Sequence, residues 1–118
     1  MLFTLHRAKI HRATLTGTEL DYEGSIGLDR ELMQAAGILP NERVQVLNHS
    51  NGERLETYVI EEAGGSGKVC LYGPAARAGA PGDPVTIIAY AQVTEEETRG
   101  WQPLIVQVDS RNRALPRD

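Results

Sequence analysis

The sequence predicts a mainly β single domain, closer to a small closed barrel than to an open α/β sheet. Three observations lead there. Six or seven short runs alternate apolar and polar residues and are rich in β-branched side chains. Gly, Pro and Asn punctuate the gaps between them. Only one segment carries a convincing helical period, too little helix to cover both faces of a parallel sheet. At 118 residues the chain can bury one core and has little room for a second unit, so residues 1–118 are expected to form a single domain.

Taken in order, residues 4–16 carry the first alternating run, which stops at Gly17. Residues 29–36 are the best helix. Asp29 can cap it, Leu32, Met33 and Ala36 form its apolar face, and Gly37 suits its exit. Strands are expected over 42–49 and 53–61, joined at Asn51-Gly52, a pair suited to the positive φ angles of a type I′ turn. Gly64-Gly65-Ser66-Gly67 reads as a flexible connection. Further strands are expected over 68–72, 84–93 and 103–109. Between the last two, 94–99 can form a short helical turn, with Thr94 as cap and Glu95, Glu96 and Glu97 near the positive end of its dipole. The plainer reading of that triplet is a solvated acidic face. Residues 110–118 read as a polar, poorly ordered tail.

A formal net charge of −4 excludes the broad basic footprint that nucleic-acid binding requires. No apolar run approaches the length of a membrane span. A single cysteine, Cys70, cannot form an internal disulfide, and with no signal-peptide pattern the cytoplasm is the expected compartment. His6, His11, His49 and Cys70 lack paired ligand spacing, so no metal site is expected. A Ser25-His11-Asp29 hydrolase triad lacks a nucleophile-elbow pattern, and the Gly-rich run matches no phosphate loop.

Several polar groups remain as candidates. Gly24-Ser25 is most often simply a turn. A Ser Oγ placed over the preceding carbonyl can also convert that amide to an ester. β-Elimination and hydrolysis then leave residue 25 as a pyruvoyl ketone. Lys9 and His11, two apart on a strand, share a face. On the later strand Arg54, Glu56 and Tyr58 point one way and Leu55, Thr57 and Val59 the other. An exposed strand face explains such residues equally well. Cys70 reads as a small buried hydrophobe, and Trp101 as a packing or subunit-contact anchor.

Together these residues resemble a known family. The runs Lys9-Ile10-His11-Arg12-Ala13, Tyr22-Glu23-Gly24-Ser25, Ala35-Ala36-Gly37-Ile38 and Asn51-Gly52-Glu53-Arg54 with Thr57-Tyr58, then Gly73 to Ala76 and Pro81-Gly82-Asp83, follow the order and spacing of the bacterial pyruvoyl-dependent L-aspartate 1-decarboxylases. The likeness spans about residues 1–110. It implies a double-psi β-barrel, usually a homotetramer, that makes β-alanine from L-aspartate for pantothenate and coenzyme A synthesis. It implies self-cleavage into a β-chain (1–24) and an α-chain (25–118) headed by a pyruvoyl group derived from Ser25, with no metal. That ketone forms a Schiff base with the substrate amine and accepts the electrons released with carbon dioxide. The resemblance also makes Tyr58 the proton donor. It assigns Arg54 and Lys9 to the two carboxylates, in either order. Thr57 and the backbone of Gly73-Pro74-Ala75 are carried over as substrate contacts. An active site between neighbouring subunits is expected, because a barrel this small encloses no deep pocket alone.

The chain departs from the family pattern in carrying Tyr72-Gly73-Pro74-Ala75-Ala76 where relatives have Asn-Gly-Ala-Ala-Ala, and Asp21 where His is common. Tyr72, with Tyr22, is a candidate for supporting the cleavage, since its phenol can also donate a hydrogen bond. Two other readings stay open: a barrel of the same fold that binds or assembles without processing, and the same chemistry on another small amino acid such as glutamate.

Overall fold

The computed structural model describes residues 1–116. Eight strands form one sheet: β1 (Leu2–Thr14), β2 (Gly17–Glu19), β3 (Ser25–Asp29), β4 (Arg43–Asn48), β5 (Arg54–Glu62), β6 (Val69–Tyr72), β7 (Pro84–Thr94) and β8 (Leu104–Gln107). Their order across the sheet is β2-β6-β3-β5-β4-β7-β1-β8. Parallel pairing joins β1 to β8, β2 to β6 and β3 to β5, and antiparallel pairing makes the remaining neighbours. The sheet wraps one core of Ile10, Ile26, Leu28, Val44, Val46, Val59, Leu71 and Ile87, with Leu32 and Met33 from the helix. This is the mainly β architecture expected, and it is consistent with a double-psi β-barrel.

Two strands escape the sequence reading. β2 is three residues long. β3, Ser-Ile-Gly-Leu-Asp, is buried at every position, so it lacks the alternation that marks a half-exposed strand, and Gly27 further weakens its signal. The helix α1 (Arg30–Ala36) forms as expected, with Asp29 as its cap and Gly37 left-handed at its exit. Arg7 donates to the Gly37 carbonyl and pairs with Glu42, which ties the helix exit to β1. The 94–99 segment is a 3-10 turn at Glu96–Thr98, closed by reciprocal Thr94 and Glu97 hydrogen bonds.

Three expectations need correction. The β4–β5 hairpin forms, but not through a type I′ turn. Gly52 takes φ 77° while Asn51 keeps a negative φ, and the Asn51 side chain instead accepts from Glu53 N. The Gly64–Gly67 segment is pinned rather than flexible, because the Asp29 carboxylate accepts from Gly65 N at 3.0 Å and Gly67 N at 2.8 Å. The tail is ordered through 114. Buried Asn112 bonds both backbone groups of Thr14 and the carbonyl of Gly67, and Val108 bridges Ala114. Residues 117–118 of that expected tail lie outside the described residues.

Asp29 therefore joins a helix start, a β-strand and a glycine loop. Burial pushes its carboxyl up, but amide donors from Gly67, Glu31 and Gly65 and the nearby Arg113 charge more than offset this and hold it below its ordinary value. A carboxyl depressed by folding stabilises the protein above its unfolded pKa, and that contribution fades as pH falls through the folded value. Replacing Asp29 by Ala orphans three amides and is expected to cost about 3 kcal/mol. Thermal melts should show the gap to wild type constant from neutral pH down to the ordinary value of 3.8 and narrowing only below it. A gap that widens on acidification would contradict this account.

Candidate active site

β3 lies between β5 and β6, paired to each. Alternation sends Ile26 and Leu28 into the core with Val59 and Leu71. The register then places Ser25, Gly27, Cys70, Tyr72, Ile60 and Glu62 on the opposite face. Ser25 begins the strand, opposite Tyr72. Its side chain is fully buried, and its Oγ is the only buried side-chain nitrogen or oxygen among the described residues without a hydrogen-bond partner. Such orphans are rare because each forgoes the hydration it had in the unfolded chain.

Gly73 sits hard against the chain just ahead of Ser25. Its φ is 67°, and a Cβ there would lie 2.5 Å from the Tyr22 carbonyl oxygen and 2.7 Å from Gly24 N. Only glycine meets both demands. Gly73 opens a 3-10 turn, Gly73–Ala78, whose Pro74 closes over Gly24.

β5 has β3 beside it only from Val59 onward, so Arg54 to Tyr58 is paired with β4 on one side and open on the other. That open edge faces Gly24 and the 3-10 turn across a cleft of about 550 Å³ lined by Gly24, Leu55, Thr57, Tyr58, Pro74 and Ala75, with Arg43, Glu56 and Ala78 at its margin. Among the described residues its one cation is Arg43, 3.3 Å from Glu56.

The structure thus gathers Gly24, Thr57, Tyr58, Pro74 and Ala75 along one cleft, with buried Ser25 next in the chain to Gly24 and Gly73 packed against the backbone ahead of it, neither of them lining the cleft. It does not bring the other two site residues there. Arg54 lies in a second cleft and donates to Gln45 at 3.1 Å. Lys9 is mid-strand, in register with Ile88 and Ile105, and lines neither cleft. The Ser25-His11-Asp29 triad does not form, since Ser25 Oγ is unpartnered and the Asp29 oxygens are held by backbone amides. Tyr72 and Tyr22 meet, with ring centroids 4.8 Å apart. The Tyr72 hydroxyl donates to Glu62 and not to Ser25, and burial together with that carboxylate raises its pKa strongly. Sequence reasoning missed Glu62. The period of β5 puts Tyr58, Ile60 and Glu62 on one face, a signal that becomes useful only once β3 is recognised beside it.

Among the described residues no three His, Cys, Asp or Glu side chains group as a metal site, and no helix is long and apolar enough to cross a membrane. A family model for aspartate decarboxylase matches residues 1–115. The chain is 58% identical over 107 residues to the aspartate 1-decarboxylase of Dehalococcoides mccartyi, covering 91% of this chain and 86% of that one. It is 55% identical over 115 residues to the Pelotomaculum thermopropionicum aspartate 1-decarboxylase (98% and 87%), and 54% over 112 residues to that of Clostridium beijerinckii (95% and 90%).

Proposed function

The chain belongs to the aspartate decarboxylase family, and we propose that it is an enzyme converting L-aspartate to β-alanine and carbon dioxide with a pyruvoyl group made from Ser25. The observation that carries the reading is the unpartnered, buried Ser25 Oγ directly after Gly24. A hydroxyl with no hydrogen bond to give up can turn onto the carbonyl before it at little cost. Attack by Oγ on the Gly24 carbonyl carbon releases the amide nitrogen and forms an ester. Loss of the Ser25 Cα proton and of the Gly24 carboxylate opens the chain, and hydrolysis leaves the ketone and ammonia. A ketone at that position supplies an electron sink for loss of the α-carboxylate, a role that no ordinary side chain fills.

The remaining work falls to side chains. Tyr58, whose ring lines the cleft beside Gly24, carries a phenol suited to delivering a proton to the former α-carbon. Thr57, Pro74 and Ala75 bound the space beside Gly24 and orient the substrate, with Gly73 setting the course of the turn. Aspartate brings two carboxylates, yet among the described residues the only cation in this cleft is already paired with Glu56. Arg54 and Lys9 therefore serve the cleft of a neighbouring subunit, Arg54 through its planar fork and Lys9 as a point charge. That division supports a homotetramer with sites between subunits.

The test is to incubate the purified protein with L-aspartate and with L-glutamate, following both products and intact mass. Expected are two fragments, of residues 1–24 and 25–118, and β-alanine from aspartate. A chain that stays whole and makes no product would overturn the reading in favour of a non-processing barrel. Preferential turnover of glutamate would overturn the substrate. On a sizing column a monomer with full activity would exclude a site shared between subunits.

A further inference from the structure

Tyr72 stands opposite Ser25, and its ring runs from there across Gly27. A Cβ on Gly27 would lie 2.8 Å from Tyr72 Cε2 and 2.1 Å from Glu62 Oε2, so the glycine leaves a channel that the phenol and the carboxylate fill. At its end the Tyr72 hydroxyl donates to Glu62 Oε2 at 2.5 Å, and Lys68 Nζ braces the other carboxylate oxygen at 3.7 Å. On its outer side the Tyr72 ring carries Tyr22, tilted by 41° at 4.8 Å. Tyr22 is 58% exposed, so burial in the core does not fix it. The Tyr72 ring and Gly73 are what it rests on.

We propose that Glu62 is a positioning residue for self-cleavage. It anchors the Tyr72 phenol, Tyr72 holds Tyr22 by stacking, and Tyr22 keeps the segment ahead of the Gly24-Ser25 peptide seated on Gly73. The effect is geometric. Attack on a carbonyl requires a narrow approach, and a slack segment upstream of it spends most of its time outside that approach. No proton or electron passes through Glu62 in this role. The inference rests on self-cleavage after Gly24, and it assigns to Glu62 a function distinct from any contact with substrate.

The experiment follows the fraction of cleaved chain by intact mass, on freshly purified, still uncleaved protein. Glu62→Ala and Tyr72→Phe should each slow cleavage about tenfold or more, as loss of a charge-assisted hydrogen bond implies. Tyr72→Phe keeps the buried ring, so it remains informative if Glu62→Ala folds poorly. Glu62→Gln retains an acceptor at the same reach and should recover most of the rate, and Tyr22→Ala, which removes the stack on Tyr72, should slow cleavage as Tyr72→Phe does. Because the residues act as one chain, the Glu62→Ala/Tyr72→Phe double variant should be no slower than the slower single. Wild-type cleavage rates in Tyr72→Phe, or single effects that multiply in the double variant, would overturn the inference while leaving the decarboxylase reading intact. A wild-type chain that never cleaves would overturn both.

Discussion

Ser25→Ala is expected to give a folded, uncleaved chain with no measurable decarboxylation. The side chain is fully buried and its oxygen has no partner, so its removal deletes no hydrogen bond and relieves an unsatisfied polar atom. The melting temperature should match or slightly exceed that of wild type. Chemistry is affected quite differently. Without the hydroxyl there is no ester, no chain opening and no ketone, so the α-carboxylate has nowhere to leave its electrons. Product formation should fall by at least about 10⁶-fold, the lower end of what enzymes provide over the uncatalysed reaction. Intact mass and a product assay on the same sample check both halves. β-Alanine formation at the wild-type rate would refute self-derived catalysis outright. An uncleaved chain that melted many degrees lower would show instead that the hydroxyl has a structural partner.

Tyr58→Phe is the complementary case, because it should separate making the catalytic group from using it. The ring lines the cleft together with Gly24, Pro74 and Ala75, and Phe preserves that wall while removing one oxygen. Self-cleavage should proceed at close to the wild-type rate. In the processed enzyme kcat should drop by roughly 10²–10⁴-fold, the usual contribution of a positioned proton donor. KM should change little, since the lost interaction belongs to the transition state. A variant retaining kcat within a few fold would move the proton donor elsewhere. A variant in which KM alone rose would make Tyr58 a binding residue.

Much of this molecule could be read before it was seen, and the boundary between what could and could not is physical. Strands with one exposed face announce themselves by alternation, which is why β1, β4 and β5 were located within a residue or two, whereas β7, buried without a break over Val85–Ala89, is found as an apolar, β-branched run. The cap and exit of α1 are local chemistry and were equally legible. β3 was not: every one of its residues is buried, so no solvent face gives it a period, and its Ser, Gly and Asp break up the continuous apolar run by which the equally buried β6 is found. The tail was misread for a related reason. Its composition is polar, but Asn112 finds its partners, Thr14 and Gly67, 98 and 45 residues away in sequence, and no local pattern encodes them. Asp29 was correctly read as a cap, yet its hold on Gly65 and Gly67 depends on the loop folding back over the helix start.

The candidate site divides along the same line. The sequence by itself supplied the proposed reacting group, Gly24-Ser25, and the residue types around it, because the order of residues along the chain is a covalent and linear fact. Only the tertiary structure decided which of those residues meet. It brought Thr57, Tyr58, Pro74 and Ala75 to one cleft with Gly24, left Lys9 and Arg54 outside it, and turned the Tyr72 phenol towards Glu62. The reason is strand register: β3 meets β5 only from Val59 onward, and this offset both opens the cleft beside Tyr58 and aligns Glu62 with the far end of the Tyr72 ring. Register is set by which apolar face of each strand is buried against the others, a property of the assembled sheet that no single segment carries.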